Sequence, residues 1–121
     1  MKRRIIVEQL QELTEEQQQR LREWWKPQYQ DVYAEYDGCL DCYEEMTATY
    51  PKQPDQNDLP LLDIGQMIEL ITDKQNSLCL VYYYGENAEL HDTPGDYNYY
   101  PAKAEGKEIC DCLWQAVKQV L

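Results

Sequence analysis

The chain has 121 residues, of which 11 are basic and 23 are acidic, for a net charge of −12 at pH 7. A charge this negative disfavours direct binding to nucleic acid or to an anionic membrane, and it favours attraction to basic protein surfaces. The length predicts a single domain over residues 1–121. We see no apolar run long enough to cross a bilayer and no secretory signal, so we expect a cytoplasmic protein.

Residues 6–25 predict two helices at an angle or one kinked helix. The first is predicted over 7–13. The second begins at Thr14, whose hydroxyl can cap the first turn while Gln17 completes a capping box, and Pro27 ends it at Lys26. The apolar side chains expected on one side of the first helix are Ile6, Leu10 and Leu13.

The second helix carries a tryptophan pair, Trp24 and Trp25, on the same side as Leu21. One interpretation docks this helix on the core through both tryptophans. The other makes the pair an exposed anchor for a partner protein, because tryptophan is enriched at interface hot spots. A DNA-binding helix-turn-helix is disfavoured, since the second helix and the whole molecule are acidic.

Residues 27–59 are rich in acidic and tyrosine side chains and follow no regular period. We predict a long irregular stretch here, with a turn or two of helix around 40–48. Irregular stretches of this length are usually functional or disordered, and tyrosine suits half-buried contact surfaces. We therefore interpret it as a recognition surface. The residues predicted to bind a partner are Tyr29, Tyr33, Glu35, Tyr36, Asp37, Asp41, Tyr43, Glu44 and Glu45.

The second half of the chain predicts an α+β fold. Asp63 can cap a middle helix that runs to about Asp73, after which three strands are expected over 78–84, 88–91 and 97–102. We expect the first of these strands to be central or covered by a helix, because both its faces are apolar or aromatic. The apolar stripe expected on the middle helix consists of Ile64, Met67, Ile68 and Ile71.

A closing amphipathic helix is predicted over 105–121, with Ile109, Leu113 and Val117 on its apolar face. The antiparallel β-meander is the surface expected to receive it. The predicted fold class is thus α+β, with N-terminal helices, a middle helix, a small antiparallel meander and a C-terminal helix packed on that meander.

The five cysteines predict free thiols or metal ligands, because their number is odd and a reducing cytosol is expected. Cys39 and Cys42, with Cys110 and Cys112 or with His91, would form the small structural zinc module that is our alternative function. Residues two apart in a helix point about 200° apart, however, so Cys110 and Cys112 cannot both face one metal there. Acidic neighbours of Cys39 and Cys42 disfavour redox chemistry. We predict no metal and no cofactor.

A small enzyme is the second alternative, with His91 as the possible general base. No nucleophile stands beside His91 in the sequence, and residues 91–95 have the composition of a turn. The carboxylates lack calcium-loop spacing, and all five glycines are isolated, which excludes a glycine-rich phosphate loop. We therefore predict no catalytic residue.

Three segments have distinctive sequences: 13–28, with Leu-Thr-Glu-Glu-Gln running into Leu-Arg-Glu-Trp-Trp-Lys-Pro-Gln, 59–69, with Leu-Pro-Leu-Leu-Asp-Ile-Gly-Gln-Met-Ile-Glu, and 108–118. They resemble small acidic proteins of phages and prophages of Firmicutes. The resemblance extends over the two ends and the middle helix, about half of the chain, and leaves out the tyrosine-rich stretch and most of the meander. The resemblance implies a mobile-element origin, but it indicates no particular activity and offers no catalytic residue. It also implies a small residue such as alanine at position 112, where this chain has Cys112.

The function expected from these observations is a non-catalytic phage or prophage accessory protein that binds a basic surface on a host or phage protein. The net charge, the acidic tyrosine-rich stretch and the lack of a catalytic pattern all favour it. A sharper version is mimicry of DNA, in which arrayed carboxylates stand in for phosphates and inhibit a nucleic-acid enzyme.

Overall fold

The computed structural model describes residues 2–36, 43–47, 54, 57–75, 80–84, 87–91 and 104–121. The chain divides into two compact units. The inserted unit is Ile5–Leu62, and the terminal unit combines Met1–Arg4 with Asp63–Leu121. The expectation of a single domain over 1–121 stays a prediction, because compactness alone does not show which parts fold independently.

The fold class is α+β, as predicted, with two small antiparallel sheets among the described residues. The N-terminal helices, the middle helix, the meander and the C-terminal helix are all present. The helices are α1 Val7–Leu10, α2 Glu15–Trp24, α3 Ile64–Gln75 and α4 Ile109–Val120. The strands are β1 Val32–Tyr36, β2 Tyr43–Thr47, β3 Leu59–Pro60, β4 Leu80–Tyr84, β5 Asn87–His91 and β6 Ala104–Gly106.

The capping box predicted for α2 is confirmed. The Thr14 hydroxyl accepts a hydrogen bond from the Gln17 backbone N–H at 3.1 Å, and Gln17 Oε1 accepts one from the Thr14 N–H at 2.9 Å. These two bonds satisfy backbone donors that would otherwise have no partner at the helix start. The helix ends at Trp24, two residues before the predicted end at Lys26.

The first helix is shorter than predicted and ends at Leu10 rather than Leu13. Both leucines are buried, but Ile6 is 47% exposed and Ile5 is buried in its place. The prediction that Ile6 faces the core is therefore wrong. Ile6 precedes the helix in extended backbone, so the helical period that placed it beside Leu10 does not apply.

The prediction that residues 27–59 are irregular is wrong where strands β1 and β2 form. β1 lies between β2 and β3 and pairs antiparallel with both, so no helical turn forms over 43–47. Leu61 N–H donates to Val32 O at 2.9 Å, which makes Val32 and Leu61 a hydrogen-bonded pair. Pro60, opposite Tyr33, then occupies a position whose nitrogen points away from β1, so the missing N–H costs no bond.

The middle helix of the terminal unit begins at the predicted cap. Asp63 Oδ1 accepts from the Gln66 N–H at 2.7 Å, and Gln66 Oε1 accepts from the Asp63 N–H at 3.0 Å. Met67 is buried, as predicted, together with Leu70 and Ile71. The predicted apolar stripe is wrong at Ile68, which is 47% exposed.

The second sheet contains the described strands in the order β4-β5-β6, all antiparallel. The predicted hairpin of the first two strands is confirmed, but β5 rather than β4 is central among them. The third strand lies at Ala104–Gly106, and the predicted strand at 97–102 falls outside the described residues.

The closing helix α4 begins at Ile109, because Glu105 belongs to β6 and not to the helix. It packs on β5, β6 and α3, which confirms the prediction that the closing helix packs on the meander. Its buried face contains Cys110, Cys112, Leu113, Trp114, Ala116 and Val117.

Candidate functional site

The negative charge of the chain is concentrated in the inserted unit. Residues 5–62 contain 13 acidic and 4 basic residues, a net charge of −9. The terminal unit contains 10 acidic and 7 basic residues, a net charge of −3. The two units are of similar length, so the acidic character belongs chiefly to one of them.

Exposed glutamates of the inserted unit come from three of its elements and the turn between its helices. Between Ile5 and Gln19 the sequence has four glutamates and no basic residue, and all four are exposed. Glu16 is paired with Arg20 one turn along α2, but an exposed pair of this kind contributes little. The exposed glutamates of this unit, within its described residues, are Glu8, Glu12, Glu15, Glu16, Glu23 and Glu45.

The β1–β2 pair brings together six of the nine residues predicted to bind a partner. Glu35 pairs with Glu44, Tyr36 with Tyr43, and Glu45 with Ala34. Residues that are seven or more positions apart in the sequence therefore lie side by side on one small sheet. The remaining described member of the predicted set, Tyr29, lies in the turn that precedes β1.

The predicted contact residues differ in accessibility. Tyr29 is 71% exposed, Glu45 is exposed, and Glu35 is half-buried. Tyr33 is only 1% exposed, and its ring lies 6.0 Å from that of Trp25 between centroids. Tyr33 is therefore a core residue, and the prediction that it belongs to the contact surface is wrong. For Tyr36, Tyr43 and Glu44 the structure places the backbone in the strands, while Asp37 and Asp41 fall outside the described residues.

The turn between α2 and β1 holds Tyr29 in the solvent. Asp31 Oδ2 accepts hydrogen bonds from Trp25 Nε1 at 3.0 Å and from the Gln28 N–H at 2.9 Å. Gln30 adopts the left-handed conformation, with φ at 71°, which is uncommon for a residue with a Cβ. A compact turn braced by one carboxylate thus presents an exposed tyrosine, a feature that the sequence alone did not reveal.

The tryptophan pair is mainly structural. Trp25 is buried against Tyr33, and Trp24 and Met46 pack partly buried against the two rings. The interpretation that docks α2 on the core is confirmed for Trp25. The interpretation that makes it an exposed anchor is wrong for this residue.

The two cysteines of α4 are thiols outside any disulfide, and both are fully buried. Burial raises the pKa of the Cys110 thiol from 9.0 to about 11, although nearby Lys2 acts in the opposite direction. A thiol with such a pKa is protonated and unreactive at neutral pH. Both residues lie inside the helix, so they point in different directions, as predicted.

Metal-ligating residues do not cluster in the described ranges, where no three His, Cys, Asp or Glu side chains are set for a metal ion. Cys39, Cys42 and Cys79 lie outside those ranges. The zinc module therefore stays a hypothesis. His91, the possible general base, is the last residue of β5, where its backbone pairs with Leu80 as the strand predicted over 88–91 requires, and residues 92–95 of the predicted turn lie outside the described ranges.

An open depression of about 390 Å³ lies at the start of α3 in the terminal unit. Its lining residues are Arg3, Arg4, Asp63, Ile64 and Gly65. The Asp63 carboxylate is already engaged in capping the helix. None of the five lining residues is a serine, threonine, cysteine or histidine, so the depression holds no hydroxyl or thiol beside an imidazole.

No helix within the described ranges is both long and apolar enough to span a membrane. Comparison with protein-family models, with curated proteins and with solved structures gives no match. Function must therefore be inferred from the charges, the exposed residues and the sheet of this chain.

Proposed function

We propose that this chain is a non-catalytic interaction protein whose inserted unit binds a basic surface on another protein. One observation carries the proposal: the inserted unit has a net charge of −9, whereas the terminal unit has −3. A surface dominated by one sign of charge attracts a partner of the opposite sign and accelerates its encounter.

Local features of the inserted unit support the same surface. Exposed glutamates on α1, α2 and β2 supply charge, and the braced turn supplies the exposed aromatic ring of Tyr29. Tyrosine adds contact area at a small cost in side-chain entropy and can lie over the cationic group of a lysine or arginine. Charge would bring the partner close, and the tyrosine would help to hold it.

The partner is expected to be a protein rather than a nucleic acid or an anionic membrane, because the inserted unit would repel both of those polyanions. The resemblance to phage and prophage proteins favours a host or phage protein inside a bacterial cell, hence a cytoplasmic setting. If that partner normally binds DNA, the exposed carboxylates would compete with phosphates, and the chain would act as a DNA mimic and inhibitor.

A comparison of variants with neutralised surface charges tests the proposal. Full-length protein is immobilised and exposed to bacterial lysate at low salt, and a retained partner is identified by mass spectrometry and purified. Its dissociation constant is then measured for the wild type, for Glu23→Gln/Glu45→Gln in the inserted unit, and for Glu69→Gln/Asp73→Asn in the terminal unit. All four positions are exposed, so each double variant removes two surface charges.

The proposal predicts that the inserted-unit variant binds about fivefold to tenfold more weakly, because each lost contact between a charge and its partner weakens binding. The terminal-unit variant should bind within about twofold of the wild type. Raising the salt should weaken wild-type binding, since exposed charges are screened. A lysate that yields no basic partner, or equal losses in the two variants, would count against the proposal.

A further inference from the structure

We propose that the outer edge of β2 accepts an extended basic segment of the partner as an additional strand. This inference rests on the proposed function and names the form of the partner: a stretch of chain with lysine or arginine at alternate positions, rather than a folded basic surface. Backbone hydrogen bonds to β2 would provide affinity, and the charge of the added strand would provide selectivity.

The direction of the backbone groups in β1 follows from one hydrogen bond. Because Val32 O accepts from Leu61 N–H at 2.9 Å, the N–H and C=O of Val32 point towards β3. In an antiparallel strand alternate residues point the same way, so the backbone groups of Ala34 also point towards β3. Those of Tyr33 and Glu35 must then point towards β2.

The same alternation extends to β2. Tyr33 pairs with Met46 and Glu35 pairs with Glu44, so the backbone groups of Met46 and Glu44 are bonded to β1. The residues between and beside them have backbone N–H and C=O groups that point away from β1. These outward-pointing residues are Tyr43, Glu45 and Thr47.

Among the described strands β2 has β1 as its only neighbour, so its outward groups form a sheet edge. The helix α1 also contacts β2, and the chain that leads into α1 lies beside Leu62, beyond β3. Ile5, which precedes α1, donates from its N–H to Leu62 O at 3.0 Å. Since Leu61 points towards β1, Leu62 points to the opposite side, and α1 reaches β2 across a face of the sheet.

The negative charge on this edge favours the binding of a basic segment. Glu45 and Thr47 are exposed, and Glu45 has outward backbone groups as well as a carboxylate in solvent. Charged residues on an edge strand discourage pairing with a second copy of the same chain, because like charges would meet. A segment with lysine or arginine opposite Glu45 would instead form a favourable cross-strand pair.

The test uses full-length protein and a labelled peptide of four Lys-Val repeats, with fluorescence anisotropy as the readout. Glu45→Pro removes the outward N–H and the charge but no hydrogen bond to β1, because Glu45 and Ala34 form a non-bonded pair. Glu45→Gln is the matched control, since it removes the same charge and keeps the N–H. Far-UV circular dichroism checks that each variant is folded.

We expect Glu45→Gln to weaken peptide binding about twofold to threefold and Glu45→Pro to weaken it at least about tenfold, because only the second change removes a backbone donor. A second probe keeps the test decisive if Glu45→Pro does not fold. The same peptide with N-methylated lysine backbones keeps its charge but lacks the N–H groups of the residues opposite Glu45, which are the ones that face β2 in an antiparallel pair. Wild-type protein should bind it at least about tenfold more weakly.

Equal binding of the methylated and unmethylated peptides would overturn the edge proposal. So would equal binding by Glu45→Pro and Glu45→Gln when both are folded. In either case the proposed function would survive, since the basic peptides would still bind. If wild-type protein binds neither basic peptide at low salt, the edge proposal and the proposed attraction to basic chains both fail.

Discussion

The indole Nε1 of Trp25 donates a hydrogen bond to Oδ2 of Asp31 at 3.0 Å, and the two residues are six positions apart. This bond joins the end of α2 to the start of β1 across the turn that presents Tyr29. A buried tryptophan needs a partner for its N–H, and Asp31 provides it while also accepting from the Gln28 N–H. One carboxylate thus satisfies a core side chain and a turn backbone at once.

Replacing Asp31 by alanine should lower the free energy of unfolding by roughly 1–3 kcal/mol, because two donors lose their acceptor. Urea unfolding, followed by the fluorescence of the tryptophans, measures the change. Asp31→Asn keeps one side-chain oxygen as an acceptor and should lose less than the alanine variant. If Asp31→Ala unfolds at the same urea concentration as the wild type, the hydrogen bonds do not brace the turn.

The end of β6 lies so close to α4 that only glycine fits. A Cβ at Gly106 would lie 2.5 Å from the backbone nitrogen of Cys112 and 2.9 Å from the carbonyl carbon of Asp111. Gly106→Ala should therefore destabilise the protein by roughly 1–3 kcal/mol or more, since strand and helix must separate. Thermal unfolding in a calorimeter measures the loss.

Gly65→Ala is the matched control for that substitution. The nearest atom to its added Cβ is Asp63 Oδ1 at 3.4 Å, an ordinary contact, and the residue is exposed within α3. Alanine favours helix over glycine, so stability should stay the same or rise by about 0.5 kcal/mol. Similar losses in both variants would contradict the close approach of β6 and α4.

Removing the Thr14 hydroxyl tests the cap of α2. Thr14→Ala should cost about 1 kcal/mol, because the Gln17 N–H loses its acceptor, whereas Thr14→Ser keeps the acceptor and should cost much less. Chemical denaturation of the three proteins compares them directly. Equal losses for alanine and serine would show that the methyl group, not the hydrogen bond, matters at this position.

Stability should fall at alkaline pH because of Cys110. Burial raises the pKa of its thiol from 9.0 to about 11, so between these values the unfolded chain loses a proton that the folded chain keeps. Ionisation then favours the unfolded state, with a loss on the order of 2 kcal/mol as the pH rises from about 9 to 11 and none below that range.

The control for the alkaline loss is Cys110→Ala. Tyrosines and lysines titrate in the same range in both proteins, so the difference between the two stability curves isolates the thiol. The wild-type curve should fall more steeply than that of the variant between about pH 9 and pH 11. Parallel curves would show that the Cys110 thiol ionises as easily in the folded state as in the unfolded chain.

Features governed by local chemistry were predicted correctly from the sequence. Thr14 and Asp63 both cap their helices as expected, and each forms reciprocal hydrogen bonds with the glutamine three residues on, which was predicted for Thr14 alone. The helical period of α4 placed Leu113 and Val117 in the core correctly. Such signals lie within one or two helical turns of sequence, so no knowledge of the tertiary fold is needed.

Features governed by contacts distant in sequence were missed. β1 and β2 contain glutamates and tyrosines without clean alternation, and their strand conformation depends on pairing Glu35 with Glu44 across a gap in sequence. Tyr33 looked like a surface tyrosine because its burial depends on Trp25 from another element. Glu105 fits a helical pattern, but its pairing with Glu89 places it in β6.

The candidate surface was predicted in part for the same reason. The excess of acidic residues can be read from composition, and Tyr29 and Glu45 are exposed as expected of contact residues. The braced turn and the outward edge of β2 could not be predicted, since each depends on hydrogen bonds between residues of different elements.

The central claim is that the inserted unit, not the terminal unit, binds basic protein chains. The most direct measurement is a two-dimensional ¹⁵N–¹H nuclear magnetic resonance titration of full-length protein with the four-repeat Lys-Val peptide at low salt. We expect the amide chemical-shift changes to be concentrated within 5–62 and to be largest at Glu45 and Thr47 and near Tyr29. Shifts confined to 63–121, or no shifts at millimolar peptide, would contradict it.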